Sequence, residues 1–495
     1  MLDHYRRELV DFCSAWMREH YLYLSGQKTG LEIGSIYDRY GDLFTIEAIQ
    51  ALERALAGVP EHYETERMSI ERLLLFASER FLEGAAKEVT ELISESESRT
   101  TIEANGRSIT FQEAGVVLRS EPNRESRRSI YIRRAAAIEA SNDLRSERLG
   151  LLHAAARKLG YRSYTGLYEQ LWRFDYGALS REAEVLLDRT ESAYVARLDE
   201  ALRKSLNLRL DQVERADTLY FLHLAPYDDW FPSVDLLRVY KATMAALGID
   251  VDNQKNVHLD TESRPRKNPR AFCMPISVPD EIKLVICPTG GQSDYQTLLH
   301  EAGHAQHYAW TSPALAPELK YTGDYGLTES YAFLFNNLIS NSAWLSCMLG
   351  LSDDADFKRV VMLGRLLQVR RYVAKLIYEY QLHLGEDLSA AARRYADLQT
   401  AGTKFKTEPT EFLFDTDDAF YSANYVRAWA FEVMLREHLL TQFGTQWWTS
   451  RRAGSRLKEM WETGDRYTAD QMAAQVGLGP ITFEPLIDEL NQALG

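Results

Sequence analysis

Residues 293–307 have the sequence SDYQTLLHEAGHAQH, which contains the pattern H-E-x-x-H at residues 300–304. Histidines four positions apart lie on one face of an α-helix, so the imidazoles of His300 and His304 can converge on one cation. Glu301 lies about 100° around the helix from His300. That position is too far around to bind the cation together with both histidines, but it is near enough to reach a water bound to the cation. An imidazole pair with an open coordination position is typical of a catalytic Zn²⁺ site.

The residues before the histidines predict where their helix begins. Ser293 is followed three positions later by Gln296, which is the spacing of a capping box, and Asp294 suits the positive end of a helix. No proline follows until Pro313. We therefore expect a helix that begins with Ser293 as its N-cap and carries both histidines.

A catalytic zinc ion normally needs a third protein ligand. Glu329 is the best candidate, because it stands at the start of a second apolar segment, residues 331–344, that contains neither Gly nor Pro. The proline-containing loop between His304 and Glu329 is long enough for the chain to return along the first helix. His307 is a weaker candidate, since three ligands so close on one helix would crowd one another, and we expect it beside the ligands or in solvent.

Composition excludes several other functions. The chain has 495 residues, of which 45% are hydrophobic and 26% charged, as is ordinary for a soluble globular protein. The net charge of −15 argues against a broad surface for nucleic acid or acidic membranes. The sequence contains no phosphate-binding GxxxxGK[ST] loop and no GxSxG elbow, so nucleotide binding and serine hydrolase chemistry have no support.

The cysteines and the first residues indicate a compartment. The four cysteines are sparse and show no CxxC spacing, which fits a reducing environment. The first residues, MLDHYRRELVDFCSAW, contain no apolar run of the signal-peptide type, and no stretch of 18 apolar residues suggests a membrane span. We expect a cytoplasmic protein.

Most of the chain shows helical spacing of apolar residues. The pattern predicts helices over residues 3–24, 45–56, 65–94, 126–159, 180–206 and 233–247, and again over residues 357–384, 388–398 and 419–442. The fold class predicted from this pattern is mostly α.

Two regions interrupt the helical pattern. Residues 101–111 alternate apolar and polar positions around Asn105-Gly106, which predicts a β-hairpin with a type I′ turn. Residues 257–260, 271–274 and 282–287 have the composition of short strands, and the last of them leads into the H-E-x-x-H helix. A small β-sheet beside this helix could pair its edge with an extended peptide.

With these motifs located, the sequence resembles the thimet oligopeptidase and oligoendopeptidase F family of zinc peptidases. Three elements carry the resemblance: residues 294–307, the run Glu329-Ser-Tyr-Ala, and the tyrosine-containing segment 419–429. The final residues from 467 to 494 are also similar to the end of that family. The resemblance covers about residues 220–495.

The resemblance implies a zinc site formed by His300, His304 and Glu329, with Glu301 as the general base. It also implies a two-lobed, mostly helical shell around a deep cleft, with the small β-sheet beside the H-E-x-x-H helix. We expect an N-terminal helical lobe over residues 1–210, containing the hairpin near 101–111, and a catalytic region over residues 211–495.

The third element supplies further candidate site residues. Tyr421 and Tyr425 are four positions apart, so both can face the cleft, and either hydroxyl could donate to an oxyanion. Arg427 could bind a peptide carboxylate through its two-pronged guanidinium, or it could form a surface or structural salt bridge. If it binds substrate, we expect Tyr425 to contact the substrate beside it. The family usually has a histidine and a further tyrosine where this chain has Thr416 and Ala428.

We therefore expect a zinc-dependent metallopeptidase that hydrolyses peptide bonds in short oligopeptides. Two alternatives stay open: a metallocarboxypeptidase with the same zinc centre, and a non-catalytic helical protein that keeps the zinc motif. The expected partners are short peptides, with neither nucleic acid nor a membrane. The oligomeric state cannot be inferred from the sequence.

Overall fold

The computed structural model describes residues 2–352, 354–385 and 387–495. Within these residues the chain forms 21 α-helices and two small sheets, and it is 71% helical. The mostly α fold class with a small β-sheet is confirmed. None of the helices described in these ranges is both long and apolar enough to cross a lipid bilayer.

The first eleven helices precede the H-E-x-x-H motif. They are α1 (Leu2–Leu24), α2 (Gly34–Arg39), α3 (Ile46–Gly58), α4 (Glu64–Arg99), α5 (Phe111–Ser120), α6 (Arg124–Glu139), α7 (Asn142–Lys158), α8 (Tyr164–Trp172), α9 (Tyr176–Leu206), α10 (Thr218–His223) and α11 (Leu236–Ala246). The predicted helix over 126–159 is wrong as one element, because it divides between α6 and α7. Ser141 lies at the break, where its hydroxyl donates to the carbonyl of Ile138 at 3.0 Å.

The remaining ten helices contain the motif and the C-terminal half of the chain. They are α12 (Gln292–Trp310), α13 (Glu318–Tyr321), α14 (Tyr325–Asn336), α15 (Ser342–Leu349), α16 (Ala355–His383), α17 (Leu388–Thr403), α18 (Tyr421–Phe443), α19 (Arg451–Trp461), α20 (Ala469–Gln475) and α21 (Glu484–Leu494). The apolar segment 331–344 is therefore not one helix, and Glu329 lies inside α14 and not at its start.

Five strands form the two sheets. They are β1 (Thr101–Ala104), β2 (Arg107–Thr110), β3 (Val257–Asp260), β4 (Phe272–Ser277) and β5 (Glu281–Val285). The predicted hairpin is confirmed: β1 and β2 pair antiparallel, and Asn105 and Gly106 have φ of 52° and 78°, as a type I′ turn requires. In the second sheet the order is β3-β5-β4, so β4 is an edge strand, antiparallel to β5.

The start of α12 differs from the predicted capping box. The helix begins at Gln292 after Gly290 and Gly291, whose φ values of 92° and 87° favour glycine. Ser293 already lies in the first turn, so it is not the N-cap, and its hydroxyl accepts a hydrogen bond from Arg119 at 2.8 Å. The carboxylate of Asp294 instead reaches back to the loop and accepts the backbone N–H groups of Thr289 and Gly290, each at 2.6 Å.

Two large hydrophobic cores flank the region of the motif. One contains α11, β5 and the buried faces of α12, α14 and α19. The other combines residues of α7, α8 and α9 with residues of α16, α18 and α21. The second core therefore joins helices from both sides of residue 210, and the division of the chain at that residue stays a prediction.

Gly303 allows α12 and α14 to approach closely. A Cβ atom on Gly303 would lie 2.6 Å from the Cα of Ala332 and 2.7 Å from the carbonyl oxygen of Tyr331, both in α14. Neither atom belongs to a flexible side-chain end that could move aside. The glycine between the two histidines is thus the residue that permits the contact between the helices.

We predict that Gly303→Ala lowers the free energy of unfolding by about 1–3 kcal/mol, because the added methyl group forces α12 and α14 apart. Chemical denaturation measures this change. Gly150→Ala is the matched control, since Gly150 lies in α7 with no atom within 4 Å of its would-be Cβ. The control should be neutral or more stable by about 0.5–1 kcal/mol. Equal stabilities of Gly303→Ala and wild type would contradict the packing argument.

Candidate metal centre

Two imidazoles and one carboxylate converge between α12 and α14. The Nε2 atoms of His300 and His304 lie 3.3 and 3.6 Å from Oε2 of Glu329. One ligand atom from each residue lies within 4.8 Å of the other two, and no other such group of three occurs in the described part of the chain. The three residues that the sequence predicts as ligands are therefore together.

The spacing of these atoms fits one tetrahedral cation. Ligands about 2.0–2.2 Å from a tetrahedral zinc ion lie roughly 3.3–3.6 Å from one another. The side chains of His300, His304 and Glu329 are 12%, 11% and 2% exposed. Oε2 of Glu329 is buried and has no hydrogen-bond partner among the described residues. A buried carboxylate oxygen without a partner is costly, and a cation at this point would satisfy it.

The second ring nitrogen of one histidine is held by a neighbour. Nδ1 of His304 lies 2.9 Å from the hydroxyl of Thr328, which directly precedes Glu329 in α14. Such contacts fix the tautomer and orientation of a ligating imidazole. Sequence analysis did not identify Thr328; its position beside Glu329 and the need of an imidazole for a second partner were the available signals.

The charges within the cluster formed by His300, His304 and Glu329 favour the ionised form of the Glu329 carboxylate. Burial raises the pKa of Glu329, but the nearby imidazoles of His304 and His300 outweigh it and hold the pKa well below its usual range. Burial alone would lower the pKa of His304. The nearby carboxylate of Glu329 outweighs burial, so the pKa of His304 is raised. The site thus keeps an anionic ligand among the imidazoles, as a divalent cation requires.

Glu301 lies next to this cluster but outside it. Burial raises the pKa of Glu301, while the two histidines and the backbone N–H of Cys273 favour its charged form. Cys273 belongs to the edge strand β4, so the carboxylate of Glu301 lies between this strand and the three predicted ligands. A raised pKa makes this carboxylate a better proton acceptor than an ordinary glutamate, as a general base requires.

Two tyrosines of α18 have different partners. The hydroxyl of Tyr421 donates to Oε1 of Glu329 at 2.5 Å. Tyr425 has no hydrogen-bond partner for its hydroxyl among the described residues, and its ring stacks on Tyr372 at 4.6 Å between centroids. Ala419 and Phe420, with φ of 55° each, make the tight entry into α18 that precedes Tyr421.

Arg427 lies away from the cavities and is fully used by ion pairs. Its NH1 and NH2 groups donate to the two carboxylate oxygens of Asp324 at 3.0 and 2.9 Å, and NH2 also donates to Asp470 at 2.6 Å. Asp324 caps α14 by accepting the N–H of Gly326 at 2.9 Å. The arrangement does not support the assignment of Arg427 to substrate binding, because its donors hold the helix that carries Glu329.

His307 is neither a ligand nor solvated. Its side chain is fully buried, and Nε2 lies 3.1 Å from the carbonyl oxygen of Gly464. Burial lowers the pKa of His307 to about 4. The expectation that this residue could lie in solvent is wrong, because the end of α12 is covered by the loop after α19.

Two cavities meet at the cluster. One of about 260 Å³ extends along β4 to α1 and α13, and one of about 730 Å³ extends toward α5, α6 and α16. His300, Glu301 and Tyr425 line both cavities. One predicted ligand, His300, and the predicted general base, Glu301, therefore lie where the two cavities meet, and the other two predicted ligands line the smaller cavity.

Comparison with known proteins gives a fold but no sequence match. No family model and no curated protein match the sequence. A Bacillus anthracis str. Ames protein described as an oligoendopeptidase F has a similar structure, with a TM-score of 0.62 at 13% identity over 96% of this chain and 84% of the other.

Two further structures are more similar. PZ peptidase A with an inhibitor has a TM-score of 0.72 at 14% identity, covering 98% of this chain and 91% of the other. Another protein described as an oligoendopeptidase F has a TM-score of 0.69 at 16% identity, covering 99% and 89%. The chain thus shares, over nearly its whole length, the fold of two structures described as oligoendopeptidase F and of PZ peptidase A.

We predict that Arg427→Met lowers the free energy of unfolding by about 3–5 kcal/mol, because Asp324 would stay buried without its counter-ion. The guanidinium holds the pKa of Asp324 below its usual value, so the stability from this pair is present at neutral pH and is lost as the pH falls through that lowered pKa. Denaturation at pH 7 and at acidic pH measures both effects.

The double variant Asp324→Asn/Arg427→Met is the control, and it should lose less stability than Arg427→Met alone because no unpaired charge remains. A stable Arg427→Met protein that binds peptides more weakly than wild type would instead restore Arg427 to the substrate site.

Proposed function

We propose that this chain is a zinc-dependent peptidase of the oligoendopeptidase F type that cleaves peptide bonds in short oligopeptides. The observation that carries the proposal is the convergence of His300, His304 and Glu329, with Glu301 beside them, at the junction of two cavities. The shared fold with oligoendopeptidase F and PZ peptidase structures supports the same reaction class.

His300, His304 and Glu329 would hold the zinc ion. When bound, zinc lowers the pKa of a coordinated water and polarises a carbonyl oxygen. The hydroxyls of Thr328 and Tyr421 fix His304 and Glu329 in the orientation that leaves their ligand atoms directed at one point. A tetrahedral site with three protein ligands keeps one position for water or substrate, as catalytic zinc sites do.

Glu301 would act as the general base and then as the general acid. Its carboxylate accepts the proton of the attacking water and passes it to the nitrogen of the leaving amine. The backbone N–H of Cys273 favours the charged carboxylate, and burial favours the protonated form. The balance of these two effects suits a group that must exist in both states during one turnover.

Tyr425 is the better candidate for stabilising the oxyanion, and Tyr421 for positioning Glu329. The hydroxyl of Tyr421 is already used by the carboxylate at 2.5 Å. The hydroxyl of Tyr425 has no partner among the described residues and its ring lines both cavities, so it is available to a developing negative charge.

The edge of β4 offers a place for the peptide backbone. Phe272, Cys273, Met274 and Pro275 line the smaller cavity, and β4 is paired through only one of its edges in the sheet. An extended peptide could add to this edge through main-chain hydrogen bonds, which would present its carbonyl groups to the cluster.

The structure gives little support to the non-catalytic alternative. The hydroxyl of Thr416 donates to the carbonyl of Phe412 at 2.7 Å, and Ala428 is buried, so neither position supplies a donor to the cluster. Tyr421 and Tyr425 nevertheless bring two hydroxyls to the cavity that contains the predicted ligands. Turnover is therefore the outcome that we expect.

We predict that Glu301→Gln keeps one equivalent of zinc and the wild-type melting temperature but lowers kcat by about 10²–10⁴-fold or more, because the amide cannot accept the proton. Elemental analysis, thermal unfolding and cleavage of a peptide mixture followed by mass spectrometry measure the three quantities. Glu329→Gln, by contrast, should lose zinc. Near wild-type cleavage by Glu301→Gln would remove Glu301 from the mechanism, and tight zinc binding by Glu329→Gln would remove Glu329 from the ligands.

Removal of the hydroxyl should have a different effect at each of the two tyrosines. Tyr425→Phe should lower kcat by about 10²-fold or more, with zinc affinity and KM nearly unchanged, because it removes only an oxyanion donor. Tyr421→Phe should weaken zinc binding by about 10–100-fold, because it frees one oxygen of Glu329. Steady-state kinetics and competition with a zinc chelator measure these effects. Full kcat in both variants would show that neither hydroxyl contacts the reacting atoms.

A further inference from the structure

The larger cavity is lined by many basic side chains, although the whole chain carries a net charge of −15. The basic residues among its lining are Arg119, Arg134, Arg215, Arg270, Arg365, Arg371 and Lys375. A cation in this lining is available to a ligand only if no carboxylate of the fold pairs with it.

Five of the seven are neutralised by ion pairs within the fold. Glu411 pairs with Arg134 and Arg215, at 3.5 and 3.4 Å. Asp415 lies against Arg371 and lies 3.6 Å from Lys375, and Arg365 pairs with Glu432 at 2.7 Å. Lys375 also pairs with Asp417 at 2.8 Å, and Arg365 with Glu489 at 3.2 Å. Each of these five cations therefore has at least one carboxylate partner within the fold.

Arg119 and Arg270 form no ion pair within the described residues. Arg119 is half-buried and donates only to the hydroxyl of Ser293. Burial lowers its pKa, and the positive charge of nearby Arg270 lowers it further. The closest acid that affects it, Asp294, already accepts the backbone N–H groups of Thr289 and Gly290. Two neighbouring cations without a counter-ion repel each other, and an anion between them would relieve the repulsion.

The hydrogen bond to Ser293 places Arg119 beside the first turn of α12. Its partner Ser293 and the ligand His300 lie on the same helix, α12, seven residues apart. The rise of an α-helix makes this separation roughly 10 Å along the axis. An extended peptide covers that length with about three residues.

The position of Arg270 indicates which end of a peptide would reach it. Arg270 and Ala271, which precede β4, line the larger cavity, and the next residues, Phe272 to Pro275 of β4, line the smaller one. A peptide added antiparallel to β4 would direct its carboxyl end toward Arg270, and antiparallel pairing is the slightly more stable arrangement. The charge of a C-terminal carboxylate matches the charge at that end.

We propose that Arg119 and Arg270 bind a carboxylate of the substrate about three residues on the carboxyl side of the cleaved bond. This inference rests on the proposed peptidase function and adds a substrate class to it. The carboxylate comes either from the C-terminus of the peptide or from an Asp or Glu side chain at that position, and guanidinium groups bind both through paired N–H donors.

Four versions of one uncharged peptide of about ten residues distinguish the sources. The first peptide has a free C-terminus and the second has a C-terminal amide. The third and fourth also end in an amide, and they carry Glu and Gln, respectively, at one position. That position is the third residue on the carboxyl side of the bond that is cleaved in the first peptide. We expect kcat/KM to be about tenfold or more higher for the free acid than for the amide, or for the Glu peptide than for the Gln peptide. A preference in at least one of these two pairs is required.

The variants Arg119→Gln, Arg270→Gln and the double variant should lose this preference while cleaving the amide at the wild-type rate. Arg266→Gln is the matched control, because Arg266 lies in the same loop as Arg270 and does not line the cavity. Arg270 is exposed, so its variant should keep the wild-type melting temperature even if Arg119→Gln does not.

Binding of the same four peptides, measured by fluorescence anisotropy, separates this proposal from the proposed function. If wild type cleaves no peptide but binds an acid more tightly than its amide, and Arg270→Gln removes the difference, the carboxylate site stands and the peptidase proposal fails. If wild type cleaves and binds all four equally, or if the preference survives in the double variant, the carboxylate site is wrong and the peptidase proposal stands.

Discussion

The close contact between α12 and α14 at Gly303 is the constraint on which the rest of the site depends. A Cβ there would lie 2.6 Å from the backbone of α14, so only glycine allows the two helices to approach so closely. The same approach brings Oε2 of Glu329 to within 3.3 and 3.6 Å of the two imidazoles. Asp324, held by Arg427, caps α14 and completes the support of Glu329.

The polar groups around this contact have two different roles: some hold the predicted ligands in place, and others are available to a substrate. The hydroxyls of Thr328 and Tyr421 contact the predicted ligands, whereas the hydroxyl of Tyr425 has no hydrogen-bond partner among the described residues. Glu301 faces the edge strand β4, where a peptide backbone could pair. Thr328 is buried, whereas both tyrosines line the smaller cavity. Tyr421 therefore differs from Tyr425 in the partner that its hydroxyl has within the fold, and not in its burial.

Local sequence patterns predicted which residues lie together at the site better than they predicted the helix boundaries and the ion pairs around it. The H-E-x-x-H spacing located the helix, its two histidines and Glu301, and Asn105-Gly106 located the hairpin, because these signals depend on neighbours in the chain. Glu329 was predicted as a ligand and lies beside the two histidines, although its helix begins earlier than expected. The capping box at Ser293 was wrong because Asp294 binds the preceding loop, and the role of Arg427 depended on Asp324 and Asp470, which no local pattern connects to it.

The most direct test of the account is anomalous diffraction from a crystal of the zinc-loaded protein, with data collected on both sides of the zinc absorption edge. The account predicts one strong anomalous peak, about 2.0–2.2 Å from Nε2 of His300, Nε2 of His304 and an oxygen of Glu329. A peak elsewhere, or a zinc ion at this point without Glu329 among its ligands, would contradict it.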